Sequence, residues 1–201
     1  MPLTHEIVSV PFPLESSEPW SWAVGEDSVA ARAKPRSDIF VDPENAAATV
    51  NAVTLMGEPS PGDFTLEARV RVGFQGQFDA GVLLLWRDSR TWAKLCFEYS
   101  PDGHPMVVSV VCRDVADDCN SFTVDGDSVL LRIGRRGAAF TMHASHDGRR
   151  WELVRHFALG DRETPLSVGF EVQSPMADGC DVEFEQISFR QRTVPDIRDG
   201  S

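Results

Sequence analysis

No segment of this 201-residue chain sustains an amphipathic helical period over three turns; short runs rich in Val, Phe, Leu and Trp alternate instead with clusters of Gly, Pro and Asp. Residues two apart share a strand face, whereas a helix face recurs about every 3.6 residues, so the pattern restricts the chain to an all-β sandwich. From Asp63 onward strands are expected at Phe64–Val72, Ala80–Arg87, Thr91–Tyr99, Pro105–Arg113, Ser128–Ile133, Ala138–Ser145, Arg150–Phe157, Leu166–Gln173 and Asp181–Arg190. Pro101-Asp102-Gly103, Asp125-Gly126 and Asp147-Gly148 between them supply the residues that tight reversals require. The first sixty residues, Pro- and Ala-rich around Pro35 and Asn45–Ala48, carry a strand-like Asp38–Val41 and are expected to complete the sandwich. Glu58-Pro59-Ser60-Pro61-Gly62 has the length of an ordinary connection, so one domain over residues 1–192 is expected, with a disordered tail over 193–201.

Composition narrows the function classes. A net charge of −12 repels phosphate backbones, so no nucleic-acid partner is expected. No apolar run approaches the roughly 20 residues of a bilayer span, and Met1–Glu15, broken by Pro2, Pro11 and Pro13, lacks the regions of a secretory leader. A cytoplasmic location away from membranes is the resulting expectation. Cys96, Cys112, Cys119 and Cys180 show no zinc-type spacing and are expected to be free thiols, although Cys119 and Cys180 lie near loops that can approach each other. Neither a cofactor nor a metal is expected.

The strand Thr91–Tyr99 holds the densest chemistry. Ala93, Leu95, Phe97 and Tyr99 share one side, which can pack a core; Trp92, Lys94, Cys96 and Glu98 share the other. In Phe64–Val72 the apolar set Phe64, Leu66, Ala68, Val70 and Val72 leaves Thr65, Glu67, Arg69 and Arg71 opposite, and Asp79 opens the next strand. Were these strands neighbours, Glu67, Arg69, Asp79, Trp92, Lys94 and Glu98 would form a charged patch around an exposed indole, the general design of a sugar pocket. The plainer alternative is a solvated face of paired charges.

Other constellations read as structure first. Asp181, Glu183 and Glu185 line one strand face opposite Val182 and Phe184, as carboxylates do in sandwich-fold glucanases and also on any outer strand of an acidic protein. Ser145-His146-Asp147-Gly148-Arg149-Arg150-Trp151 resembles the Asp-box hairpin of sialidases with one residue missing, and a turn-locking role for Asp147 is expected. His143 and His146 fall on opposite faces of their segment, which argues against a shared metal. No Gly-x-Ser-x-Gly elbow, P-loop or dinucleotide fingerprint is present.

Ser37-Asp38-Ile39-Phe40, Gly62-Asp63-Phe64, Asp79-Ala80-Gly81, Trp92-Ala93-Lys94-Leu95-Cys96-Phe97-Glu98, Ser109-Val110-Val111, Asp117-Asp118-Cys119-Asn120-Ser121, Ser145–Trp151 and Gln173-Ser174-Pro175 form an ordered series. It resembles the domain of unknown function named for a regulation-of-enolase protein, in the concanavalin A-like lectin and glucanase superfamily, from about Trp20 to Phe189. The resemblance implies a jelly-roll sandwich of two antiparallel sheets with a concave face, and implies no reaction. It places Asp79, Trp92, Lys94 and Glu98 on motif positions, with Asp38 and Asp118 as loop contributors. Many relatives read Ser-Asp-Trp at Asp117-Asp118-Cys119 and Thr at Cys112, so an aromatic contact near the cleft is absent here.

The leading expectation is therefore a ligand-binding module for a sugar or sugar-like molecule, with Trp92 stacking and Lys94, Glu98 and Asp79 hydrogen-bonding hydroxyls. A glycoside hydrolase or lyase using Glu98 with Asp79 or Glu67 is the second. A regulatory, protein-binding domain with an unspecified partner is the third.

Overall fold

Two antiparallel sheets stacked face to face make up the computed structural model, which describes residues 3–160 and 164–200. The first sheet has eight strands in the order β1 (Thr4–His5), β2 (Leu14–Ser16), β7 (Val53–Gly57), β16 (Ser167–Gln173), β9 (Ala80–Asp88), β10 (Thr91–Tyr99), β11 (Pro105–Arg113) and β12 (Val115–Thr123). The second has seven, in the order β15 (Glu152–Ala158), β14 (Ala139–Ser145), β13 (Ser128–Arg136), β8 (Phe64–Gly73), β17 (Asp181–Arg190), β4 (Val29–Arg32) and β3 (Trp22–Val24). A separate hairpin joins β5 (Ile39–Val41) to β6 (Ala48–Val50). The fold is a jelly-roll sandwich of two antiparallel sheets. Among the described residues there is no helix, hence none long and apolar enough to cross a membrane.

Alternation places the core where the sequence leads one to expect it. Phe64, Leu66, Ala68, Val70 and Val72 of β8 face Ala93, Leu95 and Phe97 of β10 across the sandwich, with Val182 and Phe184 of β17 beside them. Fully burying an aliphatic or aromatic side chain stabilises by roughly 1.5–3 kcal/mol, so this layer dominates the fold's stability. Asp181, Glu183 and Glu185 point outward; Asp181 pairs with Arg32 at 3.2 Å and Glu183 reaches Arg71 at 4.0 Å. Asp147 locks the β14–β15 turn as expected, its Oδ1 accepting from the Arg149 and Arg150 amides at 2.9 and 3.0 Å while Gly148 takes φ 75°.

Two expectations need correction, and one open question is answered. Val115–Thr123 forms β12, an edge strand that the sequence does not announce because Asp117, Asp118, Cys119, Asn120 and Ser121 are all exposed and give no apolar alternation. The segment Thr193–Gly200 is not a disordered tail: it lies on the outer face of the seven-stranded sheet, where His143 Nε2 and Arg132 Nη1 contact the Ile197 and Gly200 carbonyls; Ser201 is outside the described residues. All four cysteines are free, with Cys119 exposed on β12 and Cys180 buried, so these two do not pair.

The largest departure concerns the eight-stranded sheet. Ala80–Leu85 of β9 and Trp92–Phe97 of β10 are buried at every position, although alternation implies one solvated face. The β5–β6 hairpin supplies the cover, seating Ile39 and Val41 on Val82, Leu84, Cys96, Val108 and Val110 as a second, smaller core.

Candidate functional site

Strand register assembles the site on that covered face. Lys94 stands opposite Leu84 and Val110, one row from Glu171 of β16, and Val110 in turn stands opposite Asp118 of β12. Lys94 is 2% exposed and its Nζ donates to Gln173 Oε1 at 2.8 Å and Asp38 Oδ1 at 3.0 Å, while Glu171 Oε1 lies 3.9 Å away. Burial opposes the charge on Lys94, but Asp38 and then Glu171 outweigh it, so its pKa is held above the usual lysine range. A cation thus sits under the hairpin, and Asp38, immediately before β5, ties the cover to it.

The carboxylates outnumber this single cation. Glu171 is fully buried and, among the described residues, neither of its oxygens has a hydrogen-bond partner. Burial pushes its pKa up to about 8 against the pull of Lys94. Glu98, half-buried, is likewise pushed up to about 8 by burial, opposed by Lys94 and reinforced by Asp118, Asp38 and Glu171. Asp118, exposed at the rim, is raised as well, by partial desolvation of its carboxyl. Asp38, at the shorter distance, is the nearer counter-ion of Lys94, and burial favours the neutral acid of Glu171. Burial also raises the Cys96 thiol, which removes it as a nucleophile.

Of the expected site residues, the structure brings Asp38, Lys94, Glu98 and Asp118 together and separates the others. Glu67 belongs to β8 of the opposite sheet and faces outward, where it pairs with Arg132 at 2.9 Å and Arg190 at 3.5 Å. It stands on the far side of the molecule from Glu98, so the pairing of Glu98 with Glu67 is ruled out. Asp79 is buried and committed to its loop: Oδ2 accepts from the Gln75 and Gly76 amides at 2.7 and 2.9 Å, and Oδ1 from Ser174 Oγ at 2.7 Å. Trp92, expected as an exposed indole, is 0% exposed, with Lys94 Nζ 5.6 Å from its ring centroid. The hairpin cover explains this, and in this arrangement Trp92 cannot stack on a ligand.

Asp79 also steadies the site indirectly. It follows Phe78, whose φ of 66° is strained for so bulky a residue, and Gln173 Nε2 holds the Phe78 carbonyl at 2.9 Å while its other end meets Lys94. Asp79→Ala would leave the buried Ser174 hydroxyl and the partly buried Gln75 and Gly76 amides without their acceptor. A loss of about 2–4 kcal/mol is expected in a denaturant titration with an unchanged slope.

The open part of this face is not apparent from the sequence. Beside the hairpin lies a cleft of about 480 Å³, lined by Glu15–Glu18, Asn51, Ala52, Thr54, Met56, Leu84, Trp86 and Ser167, among others. Trp86 is half-buried and stands opposite Ser167 on one side and Trp92 on the other. Asn51 braces the hairpin wall, accepting from the Asp38 amide at 2.9 Å and donating to the Arg36 carbonyl at 3.1 Å. Glu18 pairs with Lys34 at 2.8 Å. These residues come from five separated segments; only a tryptophan at the end of the run Ala80–Arg87 signals the place. Among the described residues, no group of three or more His, Cys, Asp or Glu is placed to hold a metal ion.

The chain is thus a two-sheet jelly-roll sandwich with a polar cluster beneath a hairpin and a cleft beside it. The chain belongs to the family described as protein of unknown function (DUF1349), whose model matches residues 16–192; that description carries no link to enolase. A functionally unknown protein from Saccharomyces cerevisiae has a similar structure, with TM-score 0.81 at 21% identity, covering 92% of this chain and 98% of the yeast chain. The carbohydrate-binding module CBM66 from Bacillus subtilis is similar with TM-score 0.54 at 17% identity, covering 85% and 91%. Bacteroides ovatus xyloglucan PUL GH43B is similar with TM-score 0.69 at 11% identity over 93% of this chain, which spans 38% of that protein. At these identities the likeness shows the fold. No curated protein matches the chain.

Proposed function

We propose that this protein binds carbohydrate, in the cleft beside the hairpin. The observation that carries the reading is the half-buried indole of Trp86 in a cleft with the side chains of Glu15, Thr54 and Ser167 on its walls, because a sugar ring offers an apolar face to an indole and hydroxyls to surrounding polar groups. Lys94, Asp38 and Gln173 position the wall through the hairpin. The likeness of fold to a carbohydrate-binding module is consistent with this reading.

Thermal unfolding against a panel of neutral mono- and oligosaccharides tests it. A ligand at about 100 times its dissociation constant should stabilise by roughly 2.7 kcal/mol, and Trp86→Ala should abolish that shift while the unliganded chain stays folded. No shift with any sugar, or an undiminished shift in Trp86→Ala, would sink the assignment.

One observation favours a second reading, a glycoside hydrolase or lyase. A half-buried Glu98 with its pKa near 8 stays protonated at neutral pH, as a general acid must, and Asp118 takes the place of the excluded partners. Turnover of aryl glycosides that disappears in Glu98→Gln supports it; inert substrates across the panel count against it.

A further inference from the structure

The segment Thr193–Gly200 is held on the seven-stranded sheet in an unusual manner. Side chains of the sheet meet its main-chain carbonyls in turn: Thr65 Oγ1 donates to Arg192 O at 2.7 Å, Arg136 Nη1 to Pro195 O at 3.5 Å, and Arg132 Nη1 to Gly200 O at 2.6 Å, while His143 Nε2 lies 2.9 Å from Ile197 O. Main-chain recognition of this kind depends on the path of a peptide more than on its side chains. The path bends at Pro195 and then hooks: Asp196 Oδ1 accepts from the Arg198 amide at 2.7 Å, and the Gly200 amide donates to Asp196 O at 3.0 Å.

Glycine is required at the end of the hook. Gly200 has φ 73°, and a Cβ there would stand 2.5 Å from Trp151 Cβ and 3.3 Å from Arg132 Nη1. Arg132 is stacked 3.6 Å from the Trp151 ring centroid and braced by Glu67, so this end of the groove is rigid. Gly134 lies in the middle of β13, and Thr193 Oγ1 is 3.8 Å from where its Cβ would stand. The segment itself is of mixed charge, with Arg198 between Asp196 and Asp199, so the hold rests on its main chain and on glycine at its end.

The hold is nevertheless shallow. Val194 and Ile197 are only half-buried, and a cleft of about 340 Å³, lined by Thr65, Glu67, Arg132 and Arg190 among others, remains alongside the segment. A groove that recognises main chain and is incompletely filled fits an exchangeable occupant.

We propose that the outer face of the seven-stranded sheet is a peptide-binding groove, that Thr193–Gly200 occupies it in cis, and that it accepts in trans a peptide of the same hooked form, with Asp at the position of Asp196 and glycine at that of Gly200. This groove lies on the opposite side of the sandwich from the sugar cleft, and neither assignment depends on the other.

The test uses the full chain carrying Gly200→Ala, which releases the hook without touching the sheet, and a labelled synthetic peptide of residues 191–200. Amide exchange should show loss of protection at Gly200, whose amide is bonded within the hook. Fluorescence anisotropy should show the peptide binding the Gly200→Ala chain at least roughly tenfold more tightly than the wild-type chain, whose groove is filled, with a similar loss when the peptide's glycine is alanine. Equal or absent binding to both chains once release is established overturns the proposal. Retained protection in Gly200→Ala overturns it as well, because the glycine would then not anchor the hook.

Discussion

Lys94→Met is expected to lower the thermal midpoint by roughly 6–20 °C. Removing one member of a buried ion pair costs about 3–5 kcal/mol, because the partner charge stays buried, and a domain of this size loses about 2–4 °C per kcal/mol. The charge left behind is Asp38, which accepts from Lys94 at 3.0 Å and anchors the start of the hairpin. Methionine matches the lysine stem in length, so the loss reports the charge rather than a cavity. A second substitution identifies the counter-ion: near pH 6.5, Asp38→Asn should recover part of the loss in the Lys94→Met background, whereas Glu171→Gln should recover little. Greater recovery from Glu171→Gln would show that Glu171, not Asp38, carries the charge. The same result bears on ligand binding, since an effect of Lys94 substitution on binding would pass through the hairpin wall.

Stability should fall as the solution becomes alkaline. Glu98 and Glu171 titrate at about 8 in the folded protein, against 4.5 as the unperturbed value. The folded state therefore binds more protons than the unfolded chain between these limits, and the stabilisation, fully present below about pH 4.5, is lost as pH rises through about 8. Each tenfold difference in proton affinity between the folded and unfolded states corresponds to about 1.4 kcal/mol, so from pH 5 to pH 9 a decline of about 2–4 kcal/mol from Glu171 is expected. Glu171→Gln should match the wild type at pH 5 and exceed it at pH 9 in urea titrations. Parallel pH profiles for the two proteins would show that Glu171 ionises normally in the fold.

How much of this was legible in the sequence follows from which interactions are local. The inward face of β8 and the Ala93–Leu95–Phe97 face of β10 were readable because period-two alternation is a property of consecutive residues. The covering of the opposite β10 face was not, because Lys94 meets Asp38 across 56 residues and Gln173 across 79. Two faces buried at once turn a strand into a continuous apolar run, and a lysine within such a run looks solvent-facing until its partners are placed. Glu67 misleads for a related reason. Its strand and the next in sequence, β9, belong to different sheets, and a connection of a few residues does not reveal whether a chain stays in one sheet or crosses to the other. Trp86 gave the only local sign of the cleft, and its significance depends on Glu15–Glu18 and Asn51 arriving from elsewhere.

The strand without an apolar signature, β12, closes one edge of the eight-stranded sheet. A sheet edge offers a row of main-chain donors and acceptors on which a strand of another molecule can template itself, and an apolar edge of nine residues would invite such stacking. Here Asp117 and Asp118 are exposed along that edge, Arg155 grips Asp117 at 2.9 Å, and the pairing of β11 with β12 slips between Met106 and Val108. An incoming strand would have to strip water from two neighbouring carboxylates and follow an interrupted ladder. The polar residues that erase the apolar alternation thus also resist edge-to-edge aggregation.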